Sequence, residues 1–240
     1  MNPLDLSIII PAYNEEKKIA TDIEEAFKYL GNSKYKGEVI VSTDGVTDNT
    51  NNIVGDLQKK YKNLILLTEK NKIGKGAAIK AGVSIAKGKY IMFADAGLCV
   101  PFRYINDGLK KINEGFDMIL ASRALKTSKI ERKQPLYRQL GSRIFSLIVR
   151  FILGIPRQIK DTQCGFKIYN NAVAKDLFQQ LQTQAMMFDI ELILRAKKKG
   201  YKIAVFPVDW KNDADTKLKP VSGSIKILND LYRIKIVYKL

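Results

Sequence analysis

Leu6-Ser-Ile-Ile-Ile-Pro-Ala-Tyr-Asn-Glu-Glu16 is the stretch that decides the fold. Residues 6–10 form a short apolar run ended by Pro11, and residues 15–30 then carry Ile19, Ile23, Ala26, Phe27 and Leu30 at the spacing of a helix. Strand then helix is the reading. The same alternation continues outward: 38–41 with 48–60, 64–68 with 74–86, and 90–93 with 102–113. Strands alternating with helices of this length predict an α/β fold, a mostly parallel central sheet with helices on both faces. Such sheets bind ligands beyond the carboxyl ends of their strands. Unusual polar residues gather at those ends: Pro11-Ala-Tyr-Asn-Glu15, Thr43-Asp-Gly45 and Ala94-Asp-Ala-Gly97. Asn14 and Asp48 are expected to be helix N-caps, and Gly45 and Gly97 turn residues.

Nothing in the 240 residues reads as a linker or a repeat, so a single domain over 1–240 is expected. Lysine and arginine outnumber aspartate and glutamate by 41 to 24, a net charge of +17, which calls for an anionic partner. The basic residues are spread along the chain and no nucleic-acid reader motif occurs, so nucleic acid is not the expected partner. Two cysteines, Cys99 and Cys164, imply neither a disulfide framework nor a four-ligand zinc site, and a reducing, cytoplasmic home fits. The start of the chain does not read as a signal peptide. The longest apolar stretch, 144–155, is interrupted by Arg150 and falls short of the ~20 residues a spanning helix needs. Contact with a membrane would be peripheral. There is no histidine, which removes the commonest general base and metal ligand.

Asp95 directly follows the apolar run Tyr90-Ile-Met-Phe-Ala, a position that suits a carboxylate holding a divalent cation or one that begins a turn. Asn71-Lys-Ile-Gly-Lys-Gly76 precedes a helix and offers backbone amides with Lys72 or Lys75 to an anion, although it lacks the spacing of a Walker loop.

Taken together, Ser7-Ile-Ile-Ile-Pro-Ala-Tyr-Asn-Glu-Glu16, Asp44-Gly-Val-Thr-Asp48, Asn71-Lys-Ile-Gly-Lys-Gly-Ala-Ala78, Phe93-Ala-Asp-Ala96, Ala121-Ser-Arg123 and Asp161-Thr-Gln-Cys-Gly-Phe-Lys167 resemble, in type and order, the family 2 glycosyltransferases of the GT-A (Rossmann-like) fold. The Asp161–Lys167 run is most similar to the dolichyl-phosphate β-glucosyltransferases among the polyprenyl-phosphate enzymes. The resemblance implies an inverting transfer of a hexose, glucose favoured, from a UDP-sugar to a polyprenyl phosphate. GDP-mannose as donor, a glycan hydroxyl as acceptor, and a non-catalytic nucleotide-sugar-binding protein are the alternatives. It implies that Pro11, Tyr13, Glu15, Asp44 and Lys75 bind the nucleotide-sugar. Asp95 would sit near ribose, diphosphate and metal, with Mg²⁺ or Mn²⁺ as cofactor. Asp95, Arg123 and Asp189 are the catalytic candidates. Two positions depart from the family pattern: Gly97 stands where the second carboxylate of Asp-x-Asp is expected, and Thr43 replaces the first of Asp-Asp-Gly. Asp189 or Asp213 is the candidate to compensate.

On the acceptor side, Leu140, Ile144, Leu147, Ile148 and Phe151 make one helical stripe over 137–155, while Arg138 and Ser142 lie one turn apart on another. The similar enzymes imply that Arg138 and Ser142 grip the lipid phosphate together with Arg123. The apolar stripe, with Arg143, Arg150 and Arg157, suits the interface of an anionic membrane at its cytoplasmic face. Residues 224–240 are basic and amphipathic, and the preceding loop with Lys217 and Lys219 is a candidate to fold over the diphosphate. A phosphate monoester is already largely ionised at neutral pH and needs no strong base, which a chain without histidine would struggle to supply. A hydroxyl acceptor would need one from Asp189 or Glu191, which point to different sides of a helix.

Overall fold

A computed structural model describes residues 3–132, 141, 147, 149–212 and 227–240. Arg138, Ser142 and Asp213, the Lys217 and Lys219 loop, and much of the expected helix at 137–155 lie outside the described residues. The elements of the first half are β1 (Leu6–Ala12), α1 (Ile19–Asn32), β2 (Gly37–Asp44), α2 (Thr50–Lys60), β3 (Leu64–Glu69), α3 (Lys75–Ile85) and β4 (Tyr90–Ala94). A 3₁₀ turn, Phe102–Tyr104, leads into α4 (Ile105–Asn113), β5 (Met118–Ser122) and β6 (Lys129–Arg132). Then come β7 (Phe166–Asn170), α5 (Asn171–Gln179), α6 (Phe188–Lys198), β8 (Ile203–Pro207) and β9 (Asp209–Lys211).

The main sheet has seven strands in the order β3-β2-β1-β4-β7-β5-β8. Only β7 runs against its neighbours, pairing antiparallel with both β4 and β5. β6 and β9 pair parallel in a separate ribbon. The predicted mostly parallel sheet is thus observed.

β1 shows why the sequence folds this way. Its Ile8 and Ile10 enter one core with Ile19, Ile23, Val54, Ile105 and Leu109, while Ile9 enters the other with Ile79, Val83, Phe178 and Phe188. Alternating side chains of an apolar strand feed two opposite layers, so both faces must be covered by helices. α1 buries Ile19, Ile23, Ala26 and Leu30, the predicted stripe. At the amino end of the sheet Glu38 is buried, and its Oε1 accepts the Ser7 hydroxyl at 2.6 Å and the Lys87 amide at 2.7 Å. Ser7 Oγ in turn accepts the Gly88 amide at 2.8 Å, tying β1, β2 and the entry to β4 together.

The chain runs outward through β1, β2 and β3 and then crosses to β4 on the other side of β1. This reversal opens a crevice at the carboxyl ends of β1 and β4, the place where open α/β sheets bind ligands.

Two expectations of the helix starts are corrected. The N-cap position of α2 falls to Asn49 and not to Asp48. α1 begins at Ile19 and Asn14 does not cap it. With φ at +54°, Asn14 instead reaches across to Thr47, donating from Nδ2 to Oγ1 at 3.0 Å and accepting the Thr47 amide at 2.8 Å. A side chain that bonds a distant loop is worth more here than a cap, because it fixes the loops after β1 and β2 relative to each other. Asp48 accepts the Thr50 amide at 3.0 Å near the start of α2 and also the Glu16 amide at 3.1 Å, so it serves both loops.

Candidate functional site

Asp95 is the first residue past β4. Its amide donates to Gly165 O at 2.8 Å, and its carboxylate occupies the space that a Cβ on residue 165 would need. Glycine at 165 is therefore a requirement of the Asp95 position. Lys75, the first residue of α3, brings its ammonium to 2.6 Å from Asp95 Oδ1. Burial opposes the Lys75 charge, but the Asp95 and Asp189 carboxylates outweigh it and raise its pKa above the ordinary lysine value.

Behind this pair lies a second. Lys167, opposite Phe93 in the β4–β7 register, is fully buried and places Nζ 2.6 Å from Asp189 Oδ1 and 2.8 Å from Cys164 O. Asp189, in the first turn of α6, is fully buried too, and burial pushes its pKa up against the pull of Lys167 and Lys75. Its neighbour Glu191 points elsewhere, accepting the amides of Gln182 and Thr183 and the Arg195 guanidinium. Asp189 and Glu191 do face different sides of the helix, and Glu191 is a loop anchor.

Arg123 follows β5 and is clamped by Asp161. Nε donates to Oδ2 at 2.7 Å, Nη2 to Oδ1 at 2.8 Å, and the Arg123 amide to Oδ2 at 2.9 Å. The guanidinium stacks over Trp210, 5.1 Å from the ring. Burial works against the Asp161 carboxylate, yet Arg123 overcomes it and holds the pKa below the usual range. The fork geometry leaves Arg123 oriented, with its side chain 26% exposed.

At the other wall of the crevice Pro11 is the last residue but one of β1, and the Tyr13 ring packs against Lys72, whose Nζ stands 3.2 Å from the ring centre. Glu15 pairs with Lys18 at 2.7 Å, and its amide donates to Thr50 Oγ1 at 2.8 Å. Asp44 Oδ1 accepts the Ile73 amide at 2.6 Å, joining the loop before α3 to the end of β2. Ser42, Thr43, Asp44, Glu69, Ile73 and Ala77 line a cleft there.

The loop after Asp95 turns at Gly97, φ +91°, a left-handed conformation that glycine adopts without strain. The Gly97 amide donates to both oxygens of Asp22 at 3.0 and 2.9 Å, and the Leu98 amide to Oδ1 at 3.0 Å. Asp22 is 2% exposed, and burial pushes its carboxyl up to about 6 while the two amides pull the other way. Because the folded chain binds this proton more tightly than the unfolded one, the contribution to stability is full below about pH 4 and lost as pH rises through about 6, ~3 kcal/mol in all. Urea unfolding across that window is expected to show a fall that Asp22→Asn lacks; equal slopes in parent and variant would contradict this account of Asp22. Sequence reasoning missed Asp22, although it sits on the apolar stripe of α1 between Ile19 and Ala26, where a lone carboxylate must have a partner.

A divalent cation asks for several oxygen ligands. Asp95 offers a carboxylate with one oxygen already against Lys75, Gly97 offers none, and Asp22 is spent on the loop amides. Among the described residues no cluster of three or more Cys, His, Asp or Glu side chains is arranged to hold a metal. The described residues do not assemble a divalent-cation site.

A switch-point crevice with an acidic strand end is the ligand site of an open α/β fold, and the family model and similar solved structures make this fold the GT-A class of glycosyltransferases. The structure is similar to glucosyl-3-phosphoglycerate synthase from Mycobacterium tuberculosis, solved with Mn²⁺, UDP and glucosyl-3-phosphoglycerate, at a TM-score of 0.67 and 18% identity, over 98% of this chain and 79% of that one. The family model for glycosyl transferase family 2 matches residues 7–178, and the chain belongs to that family. It is a glycosyltransferase. Similar curated proteins include a dolichyl-phosphate beta-glucosyltransferase of Trichomonas vaginalis, 35% identical over 98% of this chain and 74% of that protein. Another is that of Dictyostelium discoideum, 33% identical over 100% and 77%.

Proposed function

We propose that this enzyme transfers glucose from UDP-glucose, with inversion, to a polyprenyl phosphate of the dolichyl type. The observation that carries the acceptor choice is the state of Asp189. The carboxylate best suited to deprotonate a hydroxyl is fully buried and held by Lys167. An acceptor that arrives already ionised needs no such base, and a phosphate monoester is one. The relatives named above share that acceptor in their names, and glucose with it.

In this reading a phosphate oxygen of the lipid attacks C1 of the sugar from the face opposite the diphosphate. The C1–oxygen bond to the diphosphate breaks, and its electron pair leaves with the nucleotide. Arg123, held by Asp161 and Trp210, orients the acceptor phosphate; Arg138 and Ser142 are proposed to help. Pro11, Tyr13, Glu15 and Asp44 surround the base and ribose, and Asp95 lies beside the diphosphate. Separate assays with UDP-glucose and GDP-mannose, each offered to a short polyprenyl phosphate and to a soluble glycan, test the choice. Lipid-linked glucose is expected; product from GDP-mannose alone moves the donor, and transfer only to the glycan sinks the acceptor.

The enzyme is proposed to work peripherally at the cytoplasmic membrane face. Two thiols, Cys99 and Cys164, both unbridged, suit a reducing compartment. Among the described residues no helix is long and apolar enough to cross a membrane. Residues 147 and 149–154 and the C-terminal segment 227–240 lie against α6. Lys197 donates to Gly154 O at 2.9 Å and Lys198 to Lys239 O at 3.2 Å. Their inner faces bury Val149, Leu153 and Ile234, whereas Leu147, Phe151, Ile152, Leu228, Tyr232 and Ile236 stay exposed, Phe151 at 96%. Apolar side chains beside Arg150, Arg233 and Lys235 match an anionic lipid surface. Phe151→Glu is expected to weaken binding to vesicles containing phosphatidylserine by about tenfold or more. Unchanged co-sedimentation would remove this face from the membrane contact.

A further inference from the structure

The two lysines of the site stand in different positions. Lys167 is enclosed, so its charge serves Asp189 and Cys164 O in the interior. Lys75 opens to the crevice: its side chain is 19% exposed and that of Asp95 32%. An ammonium has three donors, and the Asp95 contact uses one. As the first residue of α3, Lys75 also stands at the positive end of that helix dipole.

A diphosphate entering beside Asp95 meets a like charge, and a cation between them is needed to make the approach favourable. An Asp-x-Asp motif supplies two carboxylates for a divalent ion. Here the second position is Gly97, its backbone is turned onto Asp22, and the first carboxylate already faces an ammonium at 2.6 Å. A metal at Asp95 would have to displace Lys75, with one carboxylate fewer to hold it.

We infer that the Lys75 ammonium, shared between Asp95 Oδ1 and the donor diphosphate, carries the leaving-group charge in this enzyme in place of a divalent cation. The inference rests on the nucleotide-sugar reading above and deepens it. As the C1–oxygen bond breaks, the electron pair settles on the diphosphate oxygen, and a charge-assisted N–H bond from Lys75 meets it. No proton changes hands: Lys75 begins and ends the step as an ammonium, and the acceptor oxygen enters already ionised. Asp95 then acts as a positioning residue that aims the lysine, and Gly165 is the space that lets Asp95 do so.

Calorimetric binding of UDP and of GDP to the full chain, once with EDTA and once with Mn²⁺, tests this without relying on turnover. The affinity of the nucleotide that binds is expected to differ by less than about threefold between the two conditions. Lys75→Met is expected to lower it by about ten- to a hundredfold, and Lys75→Arg to retain most of it. A gain of more than about tenfold on adding Mn²⁺ to the parent overturns the inference, as does a Lys75→Met chain that binds like the parent. If Lys75→Met does not fold, the EDTA and Mn²⁺ comparison on the parent decides alone. Binding that requires Mn²⁺ leaves the donor reading standing and removes only the lysine's role. Failure of both nucleotides to bind in either condition removes the donor reading and this inference with it.

Discussion

Lys167→Met is expected to destabilise the fold by about 3–5 kcal/mol, because it leaves the fully buried Asp189 carboxylate without the ammonium that faces it at 2.6 Å. For a chain of this length that corresponds to a fall in melting temperature of roughly 6–20 °C. The variant keeps nearly the same length and volume, so the loss reports charge and not a cavity. A double variant, Lys167→Met with Asp189→Leu, is expected to recover much of the stability, since an apolar pair in place of a buried ion pair is often neutral. Thermal melts of both chains check this. A single variant that melts within about 2 °C of the parent would mean that Asp189 is neutral or otherwise compensated in the folded state.

Gly165→Ala is expected to have the largest effect on activity relative to its size. One methyl group at this position overlaps the Asp95 carboxylate and must push it away from Lys75. A displacement of about 1 Å in a group that aligns reacting atoms costs on the order of a hundredfold in turnover. The rest of the Asp161–Gly165 loop keeps its own anchors, the Arg123 fork and the Gln163 amide on Asp161 at 3.2 Å, so the chain should still fold. Turnover and nucleotide affinity are the readouts. Full activity in Gly165→Ala would show that the position of Asp95 does not matter to the chemistry.

Both variants turn on features that the sequence displays only in part. The alternation of strand and helix was legible because Ile8 and Ile10 against Ile9, and Ile19, Ile23, Ala26 and Leu30, follow the two periods that separate a strand from a helix. The strand ends at Asp44 and Asp95 were legible for the same reason, as polar residues at the close of apolar runs, and Arg123 through the Ala121-Ser-Arg123 motif. Pairings across the chain were not. Lys167 meets Asp189 only because β7 enters antiparallel beside β4 and delivers its side chain under α6. Asp161 and Arg123 stand in separate motifs, and their fork depends on the return of the chain to β5. The Asn14 cap failed because local geometry was weighed without the Thr47 loop that claims its side chain. Gly97 was visible as a missing carboxylate, but its use as a turn locked by Asp22 needed the fold.

The position of Asp95 ties these observations together: a strand end at the switch point, a glycine beneath it, an ammonium beside it, and a buried ion pair behind. That arrangement is read here as the donor side of a transfer to an ionised lipid phosphate. The most direct measurement is the anomeric configuration of the product made from UDP-glucose, whose glucose is α-linked, and a short polyprenyl phosphate, determined by NMR. A β-linked glucosyl phosphate on the lipid is the predicted result. An α-linked product, or no glucose on the lipid phosphate while the same preparation glycosylates another acceptor, would contradict the account.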